Sequence, residues 1–271
     1  MYTLKVNRKY FEIILKGIGV MIDDLQDRER LILERLAREG SLQVSELAQE
    51  WDLSEVSIRT ILRGLEEKGW LIRTRGGAVP AYHKDILERQ QQHVEEKHRI
   101  ARAAAELIQD GDVVMIEAGT TTALITRYLI GKRDVHIVTN STLAFSYARM
   151  NPALQITMTG GEFRRPTESL VGPLALETIG QLNVRLAFVG TDGFSLGRGM
   201  TTHLIEGAEI VKAMKRHAEQ TILVADSSKY GKVGFVSVLP LSAVALIITD
   251  SALPEAAVAE LQEAAVNLKL V

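Results

Sequence analysis

Two groups of side chains in this sequence have the types and spacing to do definite chemistry. In the first, Ser54, Ser57, Arg59, Thr60 and Arg63 recur three and four residues apart along one segment. Groups so spaced share a face of a helix. Hydroxyls and guanidinium groups on such a face donate hydrogen bonds to phosphate oxygens and to base edges in a DNA groove. Arginine has the right shape for guanine O6 and N7 and grips phosphate as readily. Ser54, at the helix start, also fits the plainer role of an N-cap. Arg73 and Arg75 follow beside Gly76-Gly77, so a basic hairpin capable of touching the DNA backbone or an adjacent minor groove trails the helix.

The second group opens after the apolar run Val113–Ile116, with Glu117-Ala118-Gly119-Thr120-Thr121-Thr122. A glycine at the carboxyl end of a strand, then three hydroxyls at a helix start, can cradle a phosphate through free backbone N–H groups and the helix dipole. The plainer reading is a glycine turn capped by threonine. The run lacks the glycine spacing and lysine of a P-loop, and it is no dinucleotide fingerprint, which argues against a nicotinamide enzyme. Other polar stretches also follow apolar runs: Thr139-Asn140-Ser141, Thr159-Gly160-Gly161-Glu162, Gly190-Thr191-Asp192-Gly193 and Asp226-Ser227-Ser228-Lys229. In a parallel sheet these ends converge on one rim, where ligands bind. Lys229 could meet a phosphate or carboxylate there, Arg164 and Arg165 are further anion candidates, and His203 and Glu206 could touch sugar hydroxyls. Each residue alone could equally be solvated or capping; convergence carries the argument.

The elements that position these groups can be read from periodicity. Residues 27–39 form an amphipathic helix with Leu31, Ile32 and Leu36 on one face, ended by Gly40. A short helix over Val44 to Glu50, with Ser45 as its cap and Leu47 and Ala48 buried, leads through the turn Trp51-Asp52-Leu53 to the helix from Ser54. Val56, Ile58, Ile61, Leu62 and Leu65 give that helix its apolar contacts, and Gly69 stops it. Trp70 to Arg73 begins a wing whose reversal uses Gly76-Gly77. Helix, turn, helix and basic wing is the layout of a DNA-reading domain. Tyr82 to Glu96 is polar and suits an exposed linker. Beyond it lie a helix carrying Ile100, Ala103, Ala104, Leu107 and Ile108, then alternating strands and helices. Strands are expected at 113–116, 136–139, 155–158, 186–189, 221–225, 246–249 and 266–270. Helices are expected from Gly119 to about Ile130, and over 143–150, 171–182, 206–217 and 255–265. The fold class is α/β: an N-terminal winged helix-turn-helix domain and a C-terminal, mostly parallel α/β sensor domain. The expected division is an N-terminal extension over 1–24, the DNA-binding domain over 25–80, a linker over 81–95 and the sensor over 96–271.

Composition sets the outer limits. A chain of 271 residues, 46% hydrophobic and 24% charged, is ordinary for a globular protein of two domains. There are no cysteines, which excludes disulfides and a zinc-thiolate site. Six histidines, at 83, 93, 98, 136, 203 and 217, show no metal-ligand spacing, and no metal or cofactor is expected. The formal charge of -2 is near neutral, yet Val56 to Lys84 holds Arg59, Arg63, Lys68, Arg73, Arg75 and Lys84 against Glu66 and Glu67. A DNA footprint can be local in this way. Residues 1–20 are too short and too interrupted by charge for a membrane span or a signal peptide, so a cytoplasmic location is expected.

The same motifs, in order, carry a resemblance over residues 25–271 to the DeoR family of bacterial transcriptional regulators. Ser54, the run Ser57-Ile58-Arg59-Thr60-Ile61-Leu62, Leu65-Glu66, Gly69 and Arg73 to Ala78 match the family's DNA-binding signature. Gly119-Thr120-Thr121, Thr139-Asn140-Ser141, Gly160-Gly161, Gly172, Asp192-Gly193 and Asp226-Ser227-Ser228-Lys229 match that of its sensor. The resemblance implies control of a sugar catabolic operon by a phosphorylated sugar, a sensor fold like that of ribose-5-phosphate isomerase, and a homodimer or homotetramer. It implies that Gly119, Thr120, Thr121 and Thr122 hold the phosphate and that Asp192, Glu206 and Lys229 face the sugar. Glu117, Asn140 and Gly161 complete the expected effector site. The chain departs from the family pattern at Thr60 and Ile61, where Arg and Asp are usual, at Glu117, where Asp is usual, and at Ile205, where near branches carry Asn. Three functions compete: a repressor released from DNA by a sugar phosphate, a sugar-phosphate isomerase with an appended domain, and a binding module that has lost DNA recognition, which Thr60 and Ile61 would allow. Asp192, Glu206 and Lys229 include the residue types that an aldose–ketose proton transfer needs.

Overall fold

A computed structural model of the chain describes residues 27–67 and 70–271. The expected extension over 1–24, Lys68 and the helix stop at Gly69 lie outside the described residues. The chain divides into two compact units after Gln92.

The first unit begins with α1 (Asp27–Glu39), which has Asp27 and Glu29 in its first turn and Arg38 in its last, the charge order that opposes the helix dipole. Ile32, Leu33 and Leu36 are buried, whereas Leu31 is exposed. One residue is about 100° of helix, so the true core stripe lies toward Leu33 rather than Leu31. Strand β1 (Leu42–Gln43) runs straight into α2 (Val44–Glu50). Ser45 is not its cap: Gln43 occupies that position without a side-chain bond, and the Val44 N–H goes to the Gly76 carbonyl at 2.7 Å. Asp52, with φ of 51°, makes the turn. Helix α3 (Glu55–Glu67) is capped by Ser54, whose Oγ accepts from the Ser57 N–H at 3.1 Å. Its buried stripe is Ile58, Leu62 and Leu65; Val56, expected to pack, is 70% exposed. The wing is β2 (Leu71–Thr74) and β3 (Gly77–Pro80), joined through Arg75-Gly76. The three strands pair antiparallel in the order β1-β3-β2. Gly76 supplies the turn, and Gly77 serves the sheet: a Cβ on it would sit 1.7 Å from the Leu42 carbonyl oxygen. Helix α4 (Lys84–Gln91) occupies most of what reads as an exposed linker, with Ile86 and Leu87 buried.

The second unit opens with α5 (Val94–Ala105) and β4 (Val113–Ile116). Helix α6 (Thr120–Ile125) is shorter than expected, followed by one 3-10 turn over Thr126–Tyr128. Then come β5 (His136–Thr139), α7 (Thr142–Ala148), β6 (Gln155–Met158), the hairpin β7 (Glu162–Arg164) and β8 (Ser169–Val171), and α8 (Pro173–Gly180). β9 (Val184–Val189) leads into β10 (Gly193–Ser195) and β11 (Gly199–Thr202). α9 (Ile205–Arg216), β12 (Ala218–Val224), β13 (Val236–Ser237), β14 (Leu246–Thr249), α10 (Glu255–Glu263) and β15 (Leu268–Leu270) complete the chain.

Seven strands form one sheet in the order β15-β14-β12-β9-β4-β5-β6, every pair parallel. Alternation along the strands divides the core. Met115, Val138, Ala187, Val189 and Leu223 pack with residues of α8, α9 and α10, while Val114, Ile116, Ile137, Phe188 and Val224 are equally buried between them in sequence. The chain winds from β4 toward β6, then returns to β9 and winds the other way. The reversal between β4 and β9 is the crevice where such sheets place ligands.

Candidate functional site

On the first unit, α3 and the wing present the expected DNA-contacting side chains at the surface, but in two states. Arg59 is held by Glu55 at 2.6 Å, and Arg73 is held by Glu66, which also accepts the Arg73 N–H at 2.9 Å. Those two Arg73 contacts hold the Glu66 carboxyl below the usual carboxylate range, the backbone N–H first. Arg63 and Arg75 have no ion-pair partner among the described residues. Thr60 turns its hydroxyl back to the Val56 carbonyl at 2.9 Å, and Ser54 and Ser57 share a hydrogen bond of 2.9 Å. Among the described residues the helix and wing therefore offer unpaired cations at Arg63 and Arg75, cations already paired at Arg59 and Arg73, and hydroxyls engaged with the helix's own first turns.

On the second unit, the sequence-predicted residues gather at the carboxyl rim beside the reversal point. Glu117, directly after β4, accepts the Gly190 N–H at 3.0 Å directly after β9, so one carboxylate ties together the two strand ends that flank the crevice. Gly119 is pressed against this pair: a Cβ there would lie 2.8 Å from the Thr122 hydroxyl and 3.8 Å from Glu117. Thr122 is buried, with its hydroxyl donating to the Gly119 carbonyl; Thr121 is also buried and Thr120 more open. Asn140, 1% exposed, is a scaffold: its Oδ1 accepts the Ala118 N–H at 2.9 Å and its Nδ2 donates to Leu170 at 3.1 Å. Gly161, at φ of +112°, lets the chain pass 2.4 Å from Val171 O, measured to the Cβ it lacks.

The sugar-facing set is more committed than the sequence suggests. Asp192 accepts from the Thr202 hydroxyl at 2.8 Å and from the His203 N–H at 2.9 Å, which fixes the lead into α9. Glu206 forms an ion pair with Arg164 of the hairpin. Lys229 closes a 3-10 turn begun by Asp226, and no carboxylate pairs with it among the described residues. Ser227, between them, is held by Asp250 through N–H and hydroxyl at 2.6 and 2.9 Å. The residues beside this rim that sequence reading missed are Thr201, whose hydroxyl accepts the Gly234 N–H at 2.8 Å, and Glu168, buried and bonded by the Thr142 hydroxyl. Burial pushes the Glu168 carboxyl above the usual range, against the Thr142 bond and the nearby Arg165. No spacing rule marks either one, because both work through contacts between distant segments.

Two open clefts of about 490 and 770 Å³ lie at the other, amino-terminal rim. Between them Arg185 is bonded to Asp112, at 2.7 Å from Nε, and to the Leu107 carbonyl at 2.8 Å. These hydrogen-bonding groups are already satisfied, and the carboxyl rim holds the converging polar residues.

A winged helix-turn-helix unit in one chain with a parallel sheet that has a polar crevice at its reversal point is the layout of a DNA-binding regulator. Family models agree at both ends: the DeoR-like helix-turn-helix domain matches residues 28–82 and the DeoR C-terminal sensor domain residues 92–251. The chain belongs to the DeoR family of DNA-binding transcriptional regulators. It is 31% identical over 251 residues to a putative aga operon transcriptional repressor of Escherichia coli O157:H7, covering 90% of this chain and 93% of that one. It is 33% identical over 247 residues to the HTH-type transcriptional regulator GlpR of Haloferax volcanii, covering 89% and 96%. A ribose-5-phosphate isomerase complexed with phospho-erythronic acid overlays 51% of this chain and 54% of its own, at 19% identity and a TM-score of 0.38, a likeness too slight to speak of shared chemistry. Among the described residues no helix is long and apolar enough to cross a membrane.

Proposed function

We propose that the protein represses a sugar or sugar-alcohol catabolic operon and is released from its operator by a phosphorylated sugar. The observation that carries this reading is the crevice between β4 and β9, where the Glu117–Gly190 contact draws Gly119 to Thr122 beside the reversal point in the chain that also bears α3 and the wing. Gly119 to Thr122 would take the phosphate, and Lys229, a cation with no carboxylate partner among the described residues, would meet the ligand's charge or hydroxyls. The names of the relatives, among them an aga operon repressor, support a sugar pathway.

The reading includes a cytoplasmic homodimer or homotetramer that needs no metal or cofactor and catalyses nothing. Paired half-sites would follow from a symmetric assembly. Release requires the ligand to favour one arrangement of the paired DNA-binding units over another. The isomerase alternative asks Asp192 and Glu206 to move protons, whereas both carboxylates already accept from Thr202, His203 and Arg164.

The test is binding of the purified full chain to its upstream intergenic DNA, titrated against hexose, hexitol and amino-sugar phosphates. One phosphate that abolishes specific binding supports the reading, and Lys229→Ala should then bind DNA normally but respond poorly. Turnover of a sugar phosphate at an ordinary catalytic rate, lost in Glu206→Gln, would overturn it.

A further inference from the structure

The connection from β6 to β9 has to recross β5 and β4, because the sheet order places those strands between them. The chain makes this return through the β7–β8 hairpin and α8. The root of the hairpin is fastened to the end of β5. Leu170 donates its N–H to the Asn140 carbonyl at 2.7 Å, Asn140 donates back to Leu170, and Thr142 donates its N–H to the Glu168 carbonyl at 3.0 Å. The other strand of the hairpin reaches the far side of the crevice, where Arg164 pairs with Glu206, the second residue of α9. The lead into α9 is itself held by Asp192, two residues past Gly190. The hairpin is therefore a strap from the end of β5 to α9, the element that follows β9 and its small sheet.

The two arginines of the strap are placed differently. Arg165 lies over the ring of Phe163 at 5.9 Å, while Arg164 is directed to α9. The Arg164 and Glu206 side chains are 44% and 36% exposed, so water reaches their pair, and a pair so placed is weak and readily exchanged. A guanidinium binds a phosphate through two parallel charge-assisted hydrogen bonds, and a dianion outcompetes a single carboxylate.

We propose that Arg164 is an anion-binding residue of the effector site and that Glu206 is its placeholder, giving up the guanidinium to a phosphate dianion that enters beneath the hairpin. This rests on the reading that the rim takes a phosphorylated ligand. It assigns Glu206 a role opposite to sugar contact: in the unliganded protein it holds Arg164 at the start of α9, and it competes with the ligand. The exchange also couples ligand to backbone, since freeing Glu206 releases the strap from α9.

The test is calorimetric titration of the full chain with inorganic phosphate and with a panel of hexose 6-phosphates, in wild type, Glu206→Gln, Arg164→Gln and the double variant. Competition predicts that Glu206→Gln tightens phosphate binding by roughly threefold to fivefold, the worth of an exposed pair. Arg164→Gln should weaken it by at least about tenfold, the loss of a charge-assisted bond. In the Arg164→Gln background Glu206→Gln should add nothing. Arg164→Lys, which keeps the charge and loses the fork, should fall between, and unchanged melting temperatures confirm that the fold is intact. Weaker binding in Glu206→Gln would mean that Glu206 touches the ligand, and the proposal would fail. Equal gains in both backgrounds would reduce its effect to simple repulsion and also defeat the proposal. If wild type binds none of the phosphates, the effector reading fails first and takes this inference with it.

Discussion

Among the described residues Arg63 of α3 and Arg75 of the wing have no carboxylate to leave, and this fixes what their removal should do. A cation that neutralises one phosphate steepens the dependence of log affinity on log salt by about 0.9. Arg63→Ala with Arg75→Ala should flatten that slope by about 1.8 for each bound unit. Across a fourfold rise in salt, roughly 50 to 200 mM, the wild type would then lose about 12-fold more affinity than the double variant from these contacts alone. Arg59 behaves differently because Glu55 holds it at 2.6 Å. Releasing an exposed pair involves up to about 1 kcal/mol, so Glu55→Gln should strengthen DNA binding by as much as about fivefold, while Arg59→Ala should weaken specific binding. The assay is fluorescence anisotropy on an operator duplex and a scrambled duplex over a salt series. Arg133→Ala, an 81% exposed cation of the other unit, controls for net charge. An unchanged slope in the Arg63/Arg75 variant would refute phosphate contact by these residues, and an unchanged operator affinity in Arg59→Ala would remove that residue from recognition.

Other expectations concern stability. Gly77→Ala must push β1 from β3, because its Cβ would overlap the Leu42 carbonyl; a loss of about 3 kcal/mol in urea unfolding of the DNA-binding unit is expected, at the upper end for point changes. Asn140→Ala leaves the Ala118 N–H and the Leu170 carbonyl without that partner, at a cost of about 2–3 kcal/mol, and should blunt any effector response, checked by melting and by release from operator DNA. For Glu168 the sign is that of a raised carboxyl: the native state takes the proton more readily than the unfolded chain. Stability from this group is therefore full below the ordinary glutamate value and is lost as pH rises through the native one. Glu168→Gln should leave stability at neutral pH equal or greater and flatten the pH profile between the ordinary glutamate value and the raised native one; a marked loss at neutral pH would refute the burial argument. Asp112 runs the opposite way. Arg185 holds its carboxyl low, so that contribution is present above the ordinary aspartate value and disappears as pH falls through the native one, and Asp112→Asn should remove this acid-side slope from a urea series.

What was legible in the sequence follows from where the physics is local. Strands such as Val113–Ile116 and Leu246–Thr249 are apolar on both faces because helices cover both, and each ends at a polar turn residue, so strand and rim could be read together. Helix α3 was legible through its serine cap and its 58, 62, 65 stripe. Errors arose where a neighbour decides. Leu31 and Val56 are apolar but sit just off the buried stripe, and Ser45 does not cap α2, because a wing carbonyl takes the Val44 N–H. The polar segment around Glu88 to Gln92 hid a helix because two residues, Ile86 and Leu87, carry its burial. β7, β8, β10, β11 and β13 are two to four residues long, too short for a period to show, and β13 is defined by its pairing with the distant β11. That pairing sets Arg164 against Glu206, so the site's residue types could be read but not their partners.

The bond from Val44 to the Gly76 carbonyl, with Gly77 locked against Leu42, makes the wing tip and the start of α2 one piece. The DNA-binding unit is then a caliper with its jaws welded. Glu66 at the end of α3 accepts the Arg73 N–H of the same wing, so the interval between what the wing touches and what α3 touches is set by these bonds and not by a free loop. Operators for this protein would have to share one internal spacing, and relatives with a different operator would have to differ in the teeth of the caliper, the side chains at positions such as 57, 59, 60 and 63, before they differ in its gape.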